Sequence, residues 1–155
     1  MFEERWHAAS VNLNESMIFI VGGLGSGSSR STSVFITLEQ PPIKGPDLNI
    51  SVVGHCMIQY NESSIYLIGG RQGESDETNK TWIINPNNDF KFEEGPPLNF
   101  GRETHSCGKF KKNGKTLLIV AGGYYWNDMY FRDTVEILDP LTNQGWTLGM
   151  KSSLS

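Results

Sequence analysis

The sequence has little of what helices are made from. Only three alanines, Ala8, Ala9 and Ala121, occur in 155 residues, against 17 glycines, 7 prolines, 8 Phe, 5 Tyr and 4 Trp. Strong helix formers are scarce while strand and turn formers abound, so an all-β chain is expected. Long apolar runs are missing as well. The longest, at residues 17–21 and 117–121, fall far short of the roughly 20 residues that cross a bilayer as a helix, and no membrane segment is expected. Positive charge is not in excess: the net charge is −4, which gives no field for holding a phosphate backbone and makes nucleic acid a poor partner. Residues 1–7 carry Glu3 and Glu4 and lack a basic stretch followed by an apolar one, so no signal peptide is visible. A displaced start or a fragment would remove such a leader, and the compartment stays open between cytoplasmic and extracellular.

Catalytic signatures are missing too. There is no GxSxG, HExxH, phosphate-binding GxxxxGK[ST] or CxxC pair, and the glycine-rich 22–27 stretch has neither the dinucleotide-binding spacing nor a helical pattern after it. Two cysteines, Cys56 and Cys107, are too few for a disulfide framework. Cys56 follows His55 directly and Cys107 follows His105 by two, so strand alternation sends the thiols to opposite faces, and a bond between them is not expected. Four Asn-x-Ser/Thr sequons, at Asn14, Asn49, Asn61 and Asn79, read either as glycan acceptors or as ordinary surface asparagines.

What is present is repetition. Three apolar strands end in glycine pairs: residues 18–21 before Gly22-Gly23, 65–68 before Gly69-Gly70, and 118–121 before Gly122-Gly123. A histidine precedes each pair (His7, His55, His105), and a second apolar strand follows at 34–38, 82–84 and 135–138. Asn85-Pro86 and Asp139-Pro140 then turn the chain, with Phe92 and Trp146 seven residues after the turn Asn or Asp. The similar segments 44–49 and 94–99 mark the boundaries, dividing the chain into units 1–48, 49–98 and 99–155. Each unit reads as four short antiparallel strands.

This pattern resembles the kelch repeat family: a basic residue and a histidine, an apolar strand with a glycine pair, a strand ending in Asp-Pro, and a tryptophan. The third unit matches best, with Arg102, His105, Gly122-Gly123, Asp139-Pro140 and Trp146, and the first is degenerate. The resemblance implies three four-stranded blades of a β-propeller. Three blades do not comfortably close a ring, which takes about four to eight. The two terminal faces therefore call for cover, from missing blades of a longer parent chain or from a second copy in a homodimer.

The histidine spacing places one histidine per blade, too far apart to share a metal ion with ligands at about 2 Å. Hydrogen-bonded interior histidines are expected instead. The acidic run Glu74, Asp76, Glu77 lacks the calcium-loop pattern and reads as solvated. No metal and no cofactor is expected.

Three longer connections, at 24–33, 71–80 and 124–134, share one face of the expected ring. The third is rich in aromatics: Tyr124, Tyr125, Trp126, Tyr130 and Phe131 with Arg132. Such residues concentrate binding energy at interfaces, although packing against a neighbouring blade explains them equally well. Arg71 and Arg102 fall on the same face, where they could meet a charged peptide, although the kelch pattern itself carries a basic residue at Arg102. The expected function is a non-catalytic module that binds a protein or peptide. The alternative is a fragment of a galactose-oxidase-type enzyme, whose copper site of tyrosines, histidines and a cross-linked cysteine has no counterpart constellation here.

Overall fold

The computed structural model describes residues 4–26, 28–73, 77–125 and 129–149. Every regular element among them is a β-strand, as the composition requires. The first sheet is a meander of β1 (Ala9–Asn12), β2 (Met17–Val21), β5 (Ser33–Thr37) and β6 (Ile43–Lys44), with the hairpin β3 (Leu24–Gly25) and β4 (Ser28–Ser29) set between its second and third strands. The second sheet runs β7 (Cys56–Asn61), β8 (Ser64–Ile68), β9 (Thr81–Asn85) and β10 (Lys91–Glu94). The third runs β11 (Ser106–Lys112), β12 (Lys115–Ala121), β15 (Val135–Leu138) and β16 (Thr147–Leu148), with the hairpin β13 (Tyr124–Tyr125) and β14 (Tyr130–Phe131) at the place of β3 and β4. Among the described residues all pairings are antiparallel, and no sheet closes on itself.

Two cores join the three sheets. Strand alternation sends Ile65 and Leu67 to one side of β8 and Tyr66 and Ile68 to the other. The first pair packs with Trp82 and Ile84 against Phe19, Val21 and Phe35 of the first sheet. The second pair packs with Ile58 against Leu118, Val120, Leu138 and Trp146 of the third. Because both faces of the second sheet are covered there, its central strands β8 and β9 are nearly continuously apolar. The sheets come closest along their first strands, β1 beside β7 and β7 beside β11. Where the first unit lacks the Asn-Pro or Asp-Pro turn and the aromatic that follows it, Phe90 from the second unit fills in. Its ring centroid lies 4.8 Å from that of Phe19 and 5.1 Å from that of Phe35.

The glycine pairs form the seams between sheets. Gly23 N donates to Val52 O and Gly70 N to Arg102 O, both at 2.8 Å. The first glycine of each pair has positive φ, and a Cβ at Gly69 would lie 2.8 Å from Arg102 O and 2.9 Å from the His105 ring. Only glycine permits both the conformation and the approach. At Gly122 the nearest atom to such a Cβ is Arg132 O at 3.9 Å, since among the described residues no further sheet packs there.

The expectation that Cys56 and Cys107 stay unbonded is wrong: they form a disulfide with Cα atoms 6.3 Å apart. The alternation argument was sound within one sheet and misapplied between two. When consecutive sheets pack face to face, it is opposite faces that meet, and both residues line the second core. The crosslink spans 51 residues. Replacing both cysteines by serine is expected to cost about 2–4 kcal/mol through regained freedom of the unfolded chain. Urea unfolding with and without reductant measures this, and equal midpoints for all samples would contradict it.

Candidate functional site

The repeat positions the candidate residues through a short bridge in each unit. Trp6 pairs with Leu24, Val53 with Arg71 and Glu103 with Tyr124. These bridges make Arg5, Val52 and Arg102 equivalent, and likewise His7, Gly54 and Thr104, which all have positive φ. His7 is therefore one residue out of line with His55 and His105, and Ala8 occupies their place. In support, a Cβ on the second glycine of each pair would meet Ala8, His55 and His105 respectively. The left-handed residues link the sheets: Gly54 N donates to His7 O at 3.0 Å and Thr104 N to Gly54 O at 2.7 Å.

Arg102, expected on the loop face, is inside the protein. It is fully buried and paired at 2.7 Å with fully buried Glu136. Its guanidinium also donates to Gly122 O (2.8 Å), Thr134 O (3.1 Å) and Thr134 Oγ1 (2.9 Å). Arg5 repeats this pattern on Gly22 O and Thr32, whereas the second unit places Val52 and Trp82 at the corresponding positions. A fork of donors facing backbone carbonyls is the reason for arginine here, and the role is architectural. Glu136 escaped the sequence reading, yet a lone charge in the apolar stretch Val135-Glu136-Ile137-Leu138 was its signal. Its carboxylate also accepts from Asn99 N (2.6 Å), Asn99 Nδ2 (2.8 Å) and Phe100 N (3.2 Å), fixing the connection that precedes β11.

The interior histidines are as buried as expected but not bonded as expected. Neither imidazole has a hydrogen-bond partner of good geometry among the described residues. Each ring instead packs its Cε1 edge on the preceding unit's glycine, His55 on Gly22 and His105 on Gly69. Burial pushes His55 down to about 3, with the charge of His105 adding to it and the Val21 carbonyl opposing. Burial likewise pushes His105 down to about 4, helped by Arg102 and opposed by the Ile68 carbonyl. Both are neutral at ordinary pH and serve as packing. Among the described residues no cluster of His, Cys, Asp and Glu could hold a metal ion.

Five of the eight proposed binding residues do come together, on the β13–β14 hairpin. Tyr124 pairs with Phe131 and Tyr125 with Tyr130, and the Tyr124 and Phe131 rings lie 5.1 Å apart at 54°. The Arg132 guanidinium sits 4.9 Å from the Tyr125 ring centroid and 5.2 Å from that of Phe100. That stack is a pair of cation–π contacts, each worth about 0.5–2 kcal/mol, and it stiffens the hairpin base. Phe100 was not anticipated, since it precedes the first strand of its sheet by several residues. Outward from this base, Met129, Tyr130 and Phe131 are 77%, 51% and 76% exposed. Trp126 lies outside the described residues, as do Glu74 and Asp76. Arg71 stands on the neighbouring connection and pairs with buried Glu103 at 3.5 Å, so much of its charge is already answered.

No protein-family model and no curated protein sequence matches the chain. The fold does have a match among solved structures. The structure of YjhT superposes with a TM-score of 0.75 at 14% identity, over 99% of this chain and 53% of that one. At this identity the likeness is one of fold, and the chain spans about half the length of YjhT.

Proposed function

We propose that the chain is a run of three kelch-type blades of a β-propeller and works as a non-catalytic module that binds a protein or peptide through the β13–β14 hairpin. The observation carrying the functional reading is the exposed trio Met129, Tyr130 and Phe131, held on a base stiffened by Arg132, Tyr125 and Phe100. Large apolar side chains facing water on an ordered support are favourable on contact, because little conformational freedom remains to be lost when a partner covers them. The propeller reading is supported by three equivalent meanders converging on their first strands and by the repeated glycine seam. In that reading the outer face of the first sheet, where Ile18 and Leu38 are exposed, and that of the third receive further blades of a longer chain or of a second copy.

A displayed random-peptide library selected on the purified protein tests the binding face. Peptides rich in apolar and acidic residues are expected, matching Phe131 and Arg132. Tyr130→Ala and Phe131→Ala should each weaken the selected peptides about 30-fold, the size of an interface hot spot, with the unfolding midpoint nearly unchanged because both side chains are solvent-facing. Selected peptides whose affinity survives both substitutions would place the binding face elsewhere.

A further inference from the structure

We propose that Asn14 and Asn61 carry N-linked glycans on a fold locked by the Cys56–Cys107 disulfide, so that the chain matures in an oxidising secretory compartment. Three independent features converge on this. The first is the crosslink itself, which joins two sheets across a buried core. Structural disulfides persist in the secretory pathway and outside the cell and are rare in reducing compartments.

The second is the geometry of two sequons. Asn14-Glu15-Ser16 forms the turn between β1 and β2, and Asn61-Glu62-Ser63 the turn between β7 and β8. In each, the asparagine Oδ1 accepts from the serine backbone amide at 2.9 Å and from the serine Oγ at 3.1 Å. Both asparagines are exposed, and no hydrogen bond among the described residues engages their Nδ2 atoms. A hydroxyl donating to Oδ1 draws electron density from the amide and readies Nδ2 to give up a proton. Nδ2 then forms the bond to the anomeric carbon of an oligosaccharide carried on a lipid pyrophosphate. The bond from that carbon to the pyrophosphate oxygen breaks, and the lipid pyrophosphate leaves with the electron pair and, in the net balance, with the proton given up by Nδ2.

The third is placement. In an antiparallel meander successive turns alternate between the two ends of the sheet, so the β1–β2 and β7–β8 turns lie at the end away from the long connections. Glycans at Asn14 and Asn61 would leave the aromatic hairpin uncovered. Asn79 is a contrasting case. Its Nδ2 donates to Leu98 O at 3.0 Å, and the hydroxyl-bearing residue of its sequon, Thr81, is buried within β9. A glycan there would break the bond that anchors the Leu98 connection, so the folded protein should not carry one.

Peptide mass spectrometry on protein isolated from its own cells tests this. Samples are treated with an amide-cleaving glycosidase in heavy-oxygen water, without reductant. Conversion of Asn14 and Asn61 to heavy-labelled aspartate is expected, with Asn79 unconverted and the Cys56 and Cys107 peptides recovered as one linked species. Unmodified Asn14 and Asn61, free thiols, or labelling of Asn79 would each overturn the proposal.

Discussion

Removing the Glu136 carboxylate is expected to be among the most damaging single changes available in this protein. Glu136→Ala should lower stability by about 3–5 kcal/mol, because it leaves Arg102 charged, buried and without its counter-ion. The same substitution strands the amides of Asn99 and Phe100, each of which loses a charge-assisted acceptor. Glu136→Gln should cost less, since an amide oxygen can still accept from Asn99 while failing only to neutralise the guanidinium. Arg102→Lys should approach the cost of the alanine variant, because an ammonium cannot reach Gly122 O, both oxygens of Thr134 and Glu136 together as the planar fork does. Urea unfolding of the four proteins orders them. A loss under about 1 kcal/mol for Glu136→Ala would mean the pair is not isolated from water. The damage should also reach the β13–β14 hairpin, because the Asn99–Phe100 connection holds the Phe100 ring under Arg132.

Mild acid should destabilise the protein more than its surface charges would suggest. His55 and His105 sit near 3 and 4 in the folded state against an ordinary value of 6.5. Both are lowered, so between those values the unfolded chain binds more protons than the folded one, and stability falls as pH falls. The contribution of each histidine is whole above about pH 6.5 and is lost progressively on the way down towards the folded values. From about pH 7.5 to about pH 5 the loss should be on the order of 2 kcal/mol per histidine. Asp139, held below the usual carboxylate range chiefly by its bond from Lys115, acts in the same direction only at lower pH and does not confuse this window. Denaturant midpoints across the pH series measure the slope. A flat profile above pH 5, or one unchanged by His55→Gln, would show that the rings are solvated rather than enclosed.

The two predictions share a cause. Seams between sheets are narrow, so what enters them is glycine, a neutral ring or a charge paired with a buried counter-ion. The hairpin at the other extreme is exposed and tolerant, which makes separate tests of stability and recognition feasible.

Much of this was readable from the residues themselves. Scarcity of alanine with plentiful glycine and aromatics set the all-β class, and the punctuation at Gly22, Gly69 and Gly122 set the number of sheets, because backbone conformation and strand alternation are local properties written in consecutive residues. The Tyr124–Arg132 segment announced its aromatic surface for the same reason. Pairings between units were decided only by the tertiary structure. Sequence spacing aligned His7 with His55 and His105, whereas the bridge partners put Ala8 there, since turns of unequal length shift any count made along the chain. It placed Arg102 outside, although a partner 34 residues away, Glu136, draws it in. It separated Cys56 from Cys107, yet stacking turns opposite faces towards each other. Local patterning fixes which way a side chain points within its own sheet; what it then meets depends on the neighbouring sheet, and that arrangement is a property of the packed chain.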